Sequence, residues 1–83
     1  MKKLNFVYDK KSGDLLAPQF VANHVVAIRN YTSLKDNKDL VFNKFPGDFE
    51  LVTVDIDYAD NVFSNMKSCD ITPFIEIVGD DNG

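Results

Sequence analysis

The sequence predicts an α+β domain: a small antiparallel sheet in the order β-β-α-β-β, with room for a further C-terminal strand, and one helix packed on it. Three observations carry this. Residues 4–9 and 49–56 alternate with the period of two that a half-buried strand requires. His24, Ala27, Ile28, Tyr31 and Leu34 fall at helical spacing on one stripe. Turn formers separate these segments, with one helix lying between runs of strands.

Leu4, Phe6 and Tyr8 share one face of the first strand, and Asn5, Val7 and Asp9 the other. Lys10-Lys11-Ser12-Gly13-Asp14 then makes a polar turn, with Gly13 free to take positive φ. Residues 15–21 resume an extended pattern broken by Pro18, which lacks a ladder donor and marks an edge strand or a strand end. The first unit is therefore a hairpin.

Asn23 is placed to cap a helix that fades near Asp36-Asn37. Val25, Val26, Tyr31 and Thr32 are mediocre helix formers, so packing must hold it. Pro46-Gly47 signals a turn. In the strand at 49–56, Val52, Val54 and Ile56 line one face and Phe49, Leu51 and Thr53 the other. Residues 57–61 read as a polar connection and Val62–Met66 as a short strand. Thr72–Val78, containing Pro73, reads as an edge strand. Residues 1–79 form a single domain in this reading, and 80–83 a polar tail.

The chain has 83 residues, 45% of them hydrophobic and 27% charged. That composition is globular, and no apolar run approaches the roughly 20 residues of a membrane span. No hydrophobic signal core follows the charged Met1-Lys2-Lys3. One cysteine, Cys69, excludes an intrachain disulfide and suits a reducing compartment. With one histidine, His24, it cannot complete a zinc site of the usual Cys and His ligands.

The net charge of −4 is unevenly spread. Residues 1–44 carry eight cations against four acids, and residues 45–83 one cation against nine acids. A polyanion partner is one reading of this asymmetry. The blander one is attraction between the halves, within one fold or between two copies. The overall balance is not that of a strongly basic nucleic-acid binder.

No catalytic constellation stands out. The acids of Asp55-Ile56-Asp57-Tyr58-Ala59-Asp60-Asn61 lack the central glycine of a calcium loop and read better as a solvated hairpin end. His24 and Cys69 have flanks that match no nucleophile motif, so His24 reads as a satisfied buried or rim residue and Cys69 as a small hydrophobe. The four glycines are scattered and form no phosphate loop. No cofactor is expected, and no enzymatic activity.

Aromatics interleaved with lysines are the suggestive pattern: Phe42-Asn43-Lys44-Phe45, and the run Lys2 to Lys11. Single strands are bound by aromatic faces that stack bases and cations that follow phosphates. A small fold also needs aromatics for its core, and Phe6 and Phe45 are assigned there. Tyr8 and Tyr31, each with a hydroxyl to satisfy, remain open to either role.

Ala27-Ile28-Arg29-Asn30-Tyr31, followed by Lys44-Phe45-Pro46-Gly47-Asp48-Phe49-Glu50-Leu51, resembles the small nonstructural protein of gokushoviruses. These are single-stranded DNA phages of the Microviridae. Val7-Tyr8-Asp9 matches the family's first strand, and the similarity spans roughly residues 4–58. It departs at Asp55-Ile56-Asp57-Tyr58 and leaves the C-terminal third without support. The resemblance implies a viral accessory protein in the host bacterial cytoplasm, with a role in DNA replication or single-stranded DNA binding and no defined mechanism. Arg29 and Lys44 are the cations nearest its motifs.

Two functions follow. The first is a non-enzymatic replication accessory protein that associates with single-stranded DNA. Lys2, Lys3, Lys10, Lys11, Arg29 and Lys44 would contact phosphates, and Tyr8 and Tyr31 would stack on bases. The second is a protein-interaction module, a homodimer engaging a host or viral replication factor. The first requires folding to gather the early cations into one patch, apart from the late aspartates.

Overall fold

The computed structural model describes residues 3–55 and 69–79. Four strands form one antiparallel sheet: β1 (Lys3–Asp9), β2 (Leu15–Val21), β3 (Phe49–Asp55) and β4 (Cys69–Pro73), in the spatial order β2-β1-β3-β4. The mixed α+β class is as expected. Pro18 lies in β2, an edge strand, where a missing ladder donor costs least. Asp9 closes the hairpin turn, its carboxylate accepting from the N–H of Lys11 at 2.9 Å and of Ser12 at 3.3 Å. Gly13 takes φ 79° there. The β1–β2 register shifts between Asn5 and Val7, where Phe6 faces two residues of β2, Ala17 and Pro18; in this bulge Ala17 adopts φ 51°, a left-handed conformation unusual for alanine.

Asn23 caps α1 (His24–Thr32), its side chain accepting from the Val26 N–H at 2.9 Å. The stripe packs as its spacing requires: Ala27 and Tyr31 are buried, and His24 and Ile28 half-buried. The helix stops at Thr32, short of Asp36. The Thr32 hydroxyl donates to the Ile28 carbonyl and the Ser33 hydroxyl to that of Asn30, while the chain tightens into i→i+3 turns through Leu34 and Lys35. Leu34 therefore ends up 44% exposed.

Two short helices correct the one-helix expectation. The first, α2 (Val41–Lys44), leads into a 3₁₀ turn at Pro46–Asp48. The second, α3 (Phe74–Val78), replaces all but Thr72 and Pro73 of the strand expected at Thr72–Val78. Pro73 ends the ladder because it has no N–H, and the chain then turns to bury Phe74 and Ile77. A single helical turn is too short to show a 3.6 period, so Phe-Ile-Glu-Ile-Val reads as alternation. The strand expected at Val62–Met66, the connection at 57–61, Ile56 and the tail at 80–83 lie outside the described residues.

The sheet carries apolar side chains on both faces. Val7, Phe49 and Leu51 meet Ala27, Tyr31, Phe42, Phe74 and Ile77 beneath the helices. Tyr31 stands edge-on to Phe42 and Phe74, with ring centroids 5.3 and 5.5 Å away, the T-shaped geometry that ring quadrupoles favour. On the other face Phe6, Val52 and Val54 form a second cluster, with Leu4 and Tyr8 packed against it. Phe6 is in the core as expected, but Phe45 is 53% exposed. Phe45 falls at the joint between α2 and the 3₁₀ turn, with φ −128° and ψ 63°, beyond the last core-facing position of that helix.

Candidate nucleic-acid interface

The cations of the N-terminal half separate into two sets. Lys3, at one end of β1, pairs with Asp55, its cross-strand partner on β3. Lys11, in the turn at the opposite end, has its ammonium 3.4 Å from the Asp48 carboxylate. The two sites are separated by roughly 20 Å of strand, at about 3.4 Å per residue. Each lysine is therefore matched to an acid from the later half of the chain. The patch expected from Lys3, Lys10 and Lys11 together is not assembled. Lys2 lies outside the described residues.

Lys10, Arg29, Lys35 and Lys44 are exposed and form no ion pair among the described residues. Arg29 is in the last turn of α1 and Lys44 in the last turn of α2, where a cation meets the negative end of the helix dipole. Phe45 follows Lys44 directly and shares its exposure. An exposed aromatic beside an unpaired cation therefore stands on the helical layer, not on the hairpin. Lys10 is tied to that layer by its backbone, its N–H donating to the Asp48 carbonyl at 3.0 Å.

The two tyrosines differ. Tyr8 is half-buried on the face opposite the described helices, packed against the Phe6 cluster. Tyr31 is 5% exposed and offers no open ring face; burial raises its pKa above the usual phenol value. It lines a groove of about 300 Å³ between β2 and the end of α1, with Ala17, Gln19, Leu34, Leu40 and Phe42 as further walls. Asn30 borders the same groove.

A polar chain crosses all four strands on the helix-covered face. The Gln19 amide donates to Asn5 Oδ1 at 3.3 Å, and the Asn5 amide donates to Thr53 Oγ1 at 3.0 Å. His24 Nδ1 lies 2.7 Å from Thr53 Oγ1, and its Nε2 lies 2.8 Å from Thr72 Oγ1. Both ring nitrogens of His24 are thus engaged, the satisfied half-buried histidine that the sequence suggests. Cys69 is exposed and pairs with Val54, whose side chain belongs to the opposite face, so no His–Cys dyad forms. Asn43 fixes the loop before α2 by donating to the carbonyls of Leu34 at 2.7 Å and Asn37 at 3.0 Å. Sequence spacing signals neither network, because every bond but those of Asn43 joins distant elements.

No cluster of three His, Cys, Asp or Glu able to hold a metal occurs among the described residues. No helix there is long and apolar enough to cross a membrane. These features define a small α+β domain with Arg29, Lys44 and the exposed Phe45 on a helical layer and further exposed cations, Lys10 and Lys11, in the hairpin turn. The chain belongs to the Phage ORF5 protein family, whose model matches residues 2–56, and is therefore a bacteriophage protein. No curated protein and no solved structure matches it. The matched span covers β1 to β3, including α1, α2 and the 3₁₀ turn, and so every free cation named above.

Proposed function

We propose that this phage accessory protein is non-enzymatic and serves viral DNA replication in the host cytoplasm by associating with single-stranded DNA, as its resemblance to the gokushovirus protein implies. The observation that carries this reading is the placement of Lys44 beside Phe45, both exposed on the helical layer that also bears Arg29 and Lys35. A cation without a carboxylate partner can take a phosphate, and an exposed ring can take a base. Lys3 and Lys11 contribute less, because a phosphate must compete with Asp55 and Asp48. With a net charge of −4, long-range steering is weak and contacts are short-ranged. Titration of a labelled oligothymidylate at low salt tests this. Saturable binding supports it, and no binding at tens of micromolar protein overturns it.

A second reading is a homodimeric module that engages a host or viral replication protein. Leu15 on β2 and Ile71 on β4 favour it, since both edge strands carry an apolar side chain more than half exposed. Sedimentation at micromolar concentration separates the two, because a 9.4 kDa species is a monomer.

A further inference from the structure

We propose that His24 is a proton-operated clasp between α1 and the sheet: the neutral ring, protonated only at Nε2, joins the start of the helix to β3 and β4, and a second proton, on Nδ1, releases it. The hydrogen-bond inventory fixes the tautomer. The Asn5 amide donates to the Val52 carbonyl and to Thr53 Oγ1, both at 3.0 Å, while its Oδ1 accepts from Gln19. A carbonyl only accepts, so the amide nitrogen must be the atom that faces Val52 and Thr53. Thr53 Oγ1 therefore accepts from Asn5, and the hydroxyl has one hydrogen left to place. Thr53 is 2% exposed, and His24 Nδ1, 2.7 Å away, is the remaining partner of that hydroxyl among the described residues. The hydrogen goes to Nδ1, which must be bare to accept it. The ring proton then sits on Nε2 and is donated to Thr72 Oγ1 at 2.8 Å.

A proton added to Nδ1 turns this acceptor into a donor. Thr53 Oγ1 then meets two donors, and its own hydrogen is left without an acceptor in a buried site, which is unfavourable. His24 is also the first residue of α1, at the positive end of the helix dipole, with no acidic residue in the first turn to offset a further charge. No carboxylate of the surrounding elements is in place to receive that charge. Asp55 shares the face of β3 with Thr53 but is paired with Lys3 of β1. Asp70, in register with Thr53 on β4, and Glu76 on α3 are exposed, and neither forms an ion pair with His24. On α1 itself the stripe continues through Ala27 and Ile28 to Tyr31, whose burial keeps the phenol neutral. Imidazole is the side chain suited to a change of charge near neutral pH. The clasp sits at the end of α1 opposite Arg29, and its argument is independent of what that cation contacts.

Nitrogen NMR of the imidazole on the full chain, which has one histidine, reads the ring directly. At pH 8 the expected spectrum has a proton on Nε2 and a bare Nδ1. A proton on Nδ1, or a mixture of the two tautomers, overturns the clasp. Amide hydrogen exchange, corrected for intrinsic rates, then compares pH 8 with the acidic pH at which the ring is fully protonated. Protection of the Ala27 and Ile28 amides is expected to fall at least fivefold relative to the amides of β1. Equal relative protection in the two states overturns the proposal. His24→Gln carries no charge at either pH and should show no such fall. If it loses protection as the wild type does, another group titrates and the clasp is overturned. Should that variant fail to fold, the two wild-type measurements decide alone.

Discussion

The Asn5 amide lies 3.0 Å from the hydroxyl oxygen of Thr53, two fully buried polar side chains in register on adjacent strands. This pair is the middle of the polar chain from Gln19 to Thr72, so cutting it strands groups on both sides. Asn5→Leu and Thr53→Val should each cost about 1–3 kcal/mol, the penalty for leaving a buried polar partner unmet. The double variant should cost less than their sum, with a coupling of about 0.5–3 kcal/mol. Urea unfolding of the four proteins measures it, and simple additivity would show that the pair is not coupled.

Asn23 carries α1 at its start. Its replacement by alanine frees the Val26 N–H and should lower stability by about 0.5–2 kcal/mol, while Asn23→Asp should retain most of it. Aspartate offers the same acceptor with a charge suited to a helix N-terminus. Chemical denaturation reads both, and equal loss in the two variants would mean that the cap contributes nothing.

Phe74 and Phe45 should respond in opposite ways. Phe74 is fully buried against Tyr31 and Phe42, so Phe74→Ala should cost about 3–5 kcal/mol and unfold a chain of this size at modest temperature. Phe45, 53% exposed, should lose under about 0.5 kcal/mol on truncation to alanine. If Phe45 stacks on a base, the same variant should weaken dT12 binding by about 1–3 kcal/mol. Melting curves and titrations on the two variants separate packing from function.

The contrast between these phenylalanines shows what the sequence can and cannot convey. Strand and helix faces were legible, because Leu51 against Val52, or Ala27 with Tyr31, follow from local periodicity alone. The Asn23 cap and the Pro18 edge strand were legible for the same reason. Phe45 was not, since its exposure depends on a four-residue helix whose one turn shows no period. Nor was α3, where Pro73 reads as an edge-strand residue while it ends the ladder. The pairing of Lys3 with Asp55 and of Lys11 with Asp48 was hidden entirely. Each joins residues that only the sheet order β2-β1-β3-β4 brings together, so the true candidate surface moved from the hairpin to the helical layer.

Asp9 provides a pH signature. Desolvation raises its pKa, but the Lys11 N–H, the hydroxyl and N–H of Ser12 and the Lys11 charge together hold it below the usual 3.8. A carboxyl depressed in the fold adds stability above its unfolded pKa and loses it as pH falls through the folded value. Asp9→Asn should therefore be less stable than wild type at pH 7, with the gap closing below about pH 3.8. Denaturation midpoints at pH 7, 4 and 2.5 check this, and a gap that widens in acid would contradict the hairpin-cap role.

Salt dependence distinguishes free cations from paired ones. Each phosphate neutralised on a single strand adds roughly −0.7 to the slope of log affinity against log salt. Arg29 and Lys44 have no carboxylate partner among the described residues, so removing either should flatten the slope by about that amount and weaken binding to every sequence alike. Lys3 is different: a phosphate gained there means Asp55 uncovered, so the net change in bound counterions is close to nil. Lys3→Ala should then leave the slope nearly unaltered. Titrations of dT12 between 20 and 200 mM salt, about one decade, resolve a change of this size. If Lys3→Ala flattened the slope as much as Arg29→Ala, the DNA would run along the hairpin, and the helical layer would lose its claim as the contact surface.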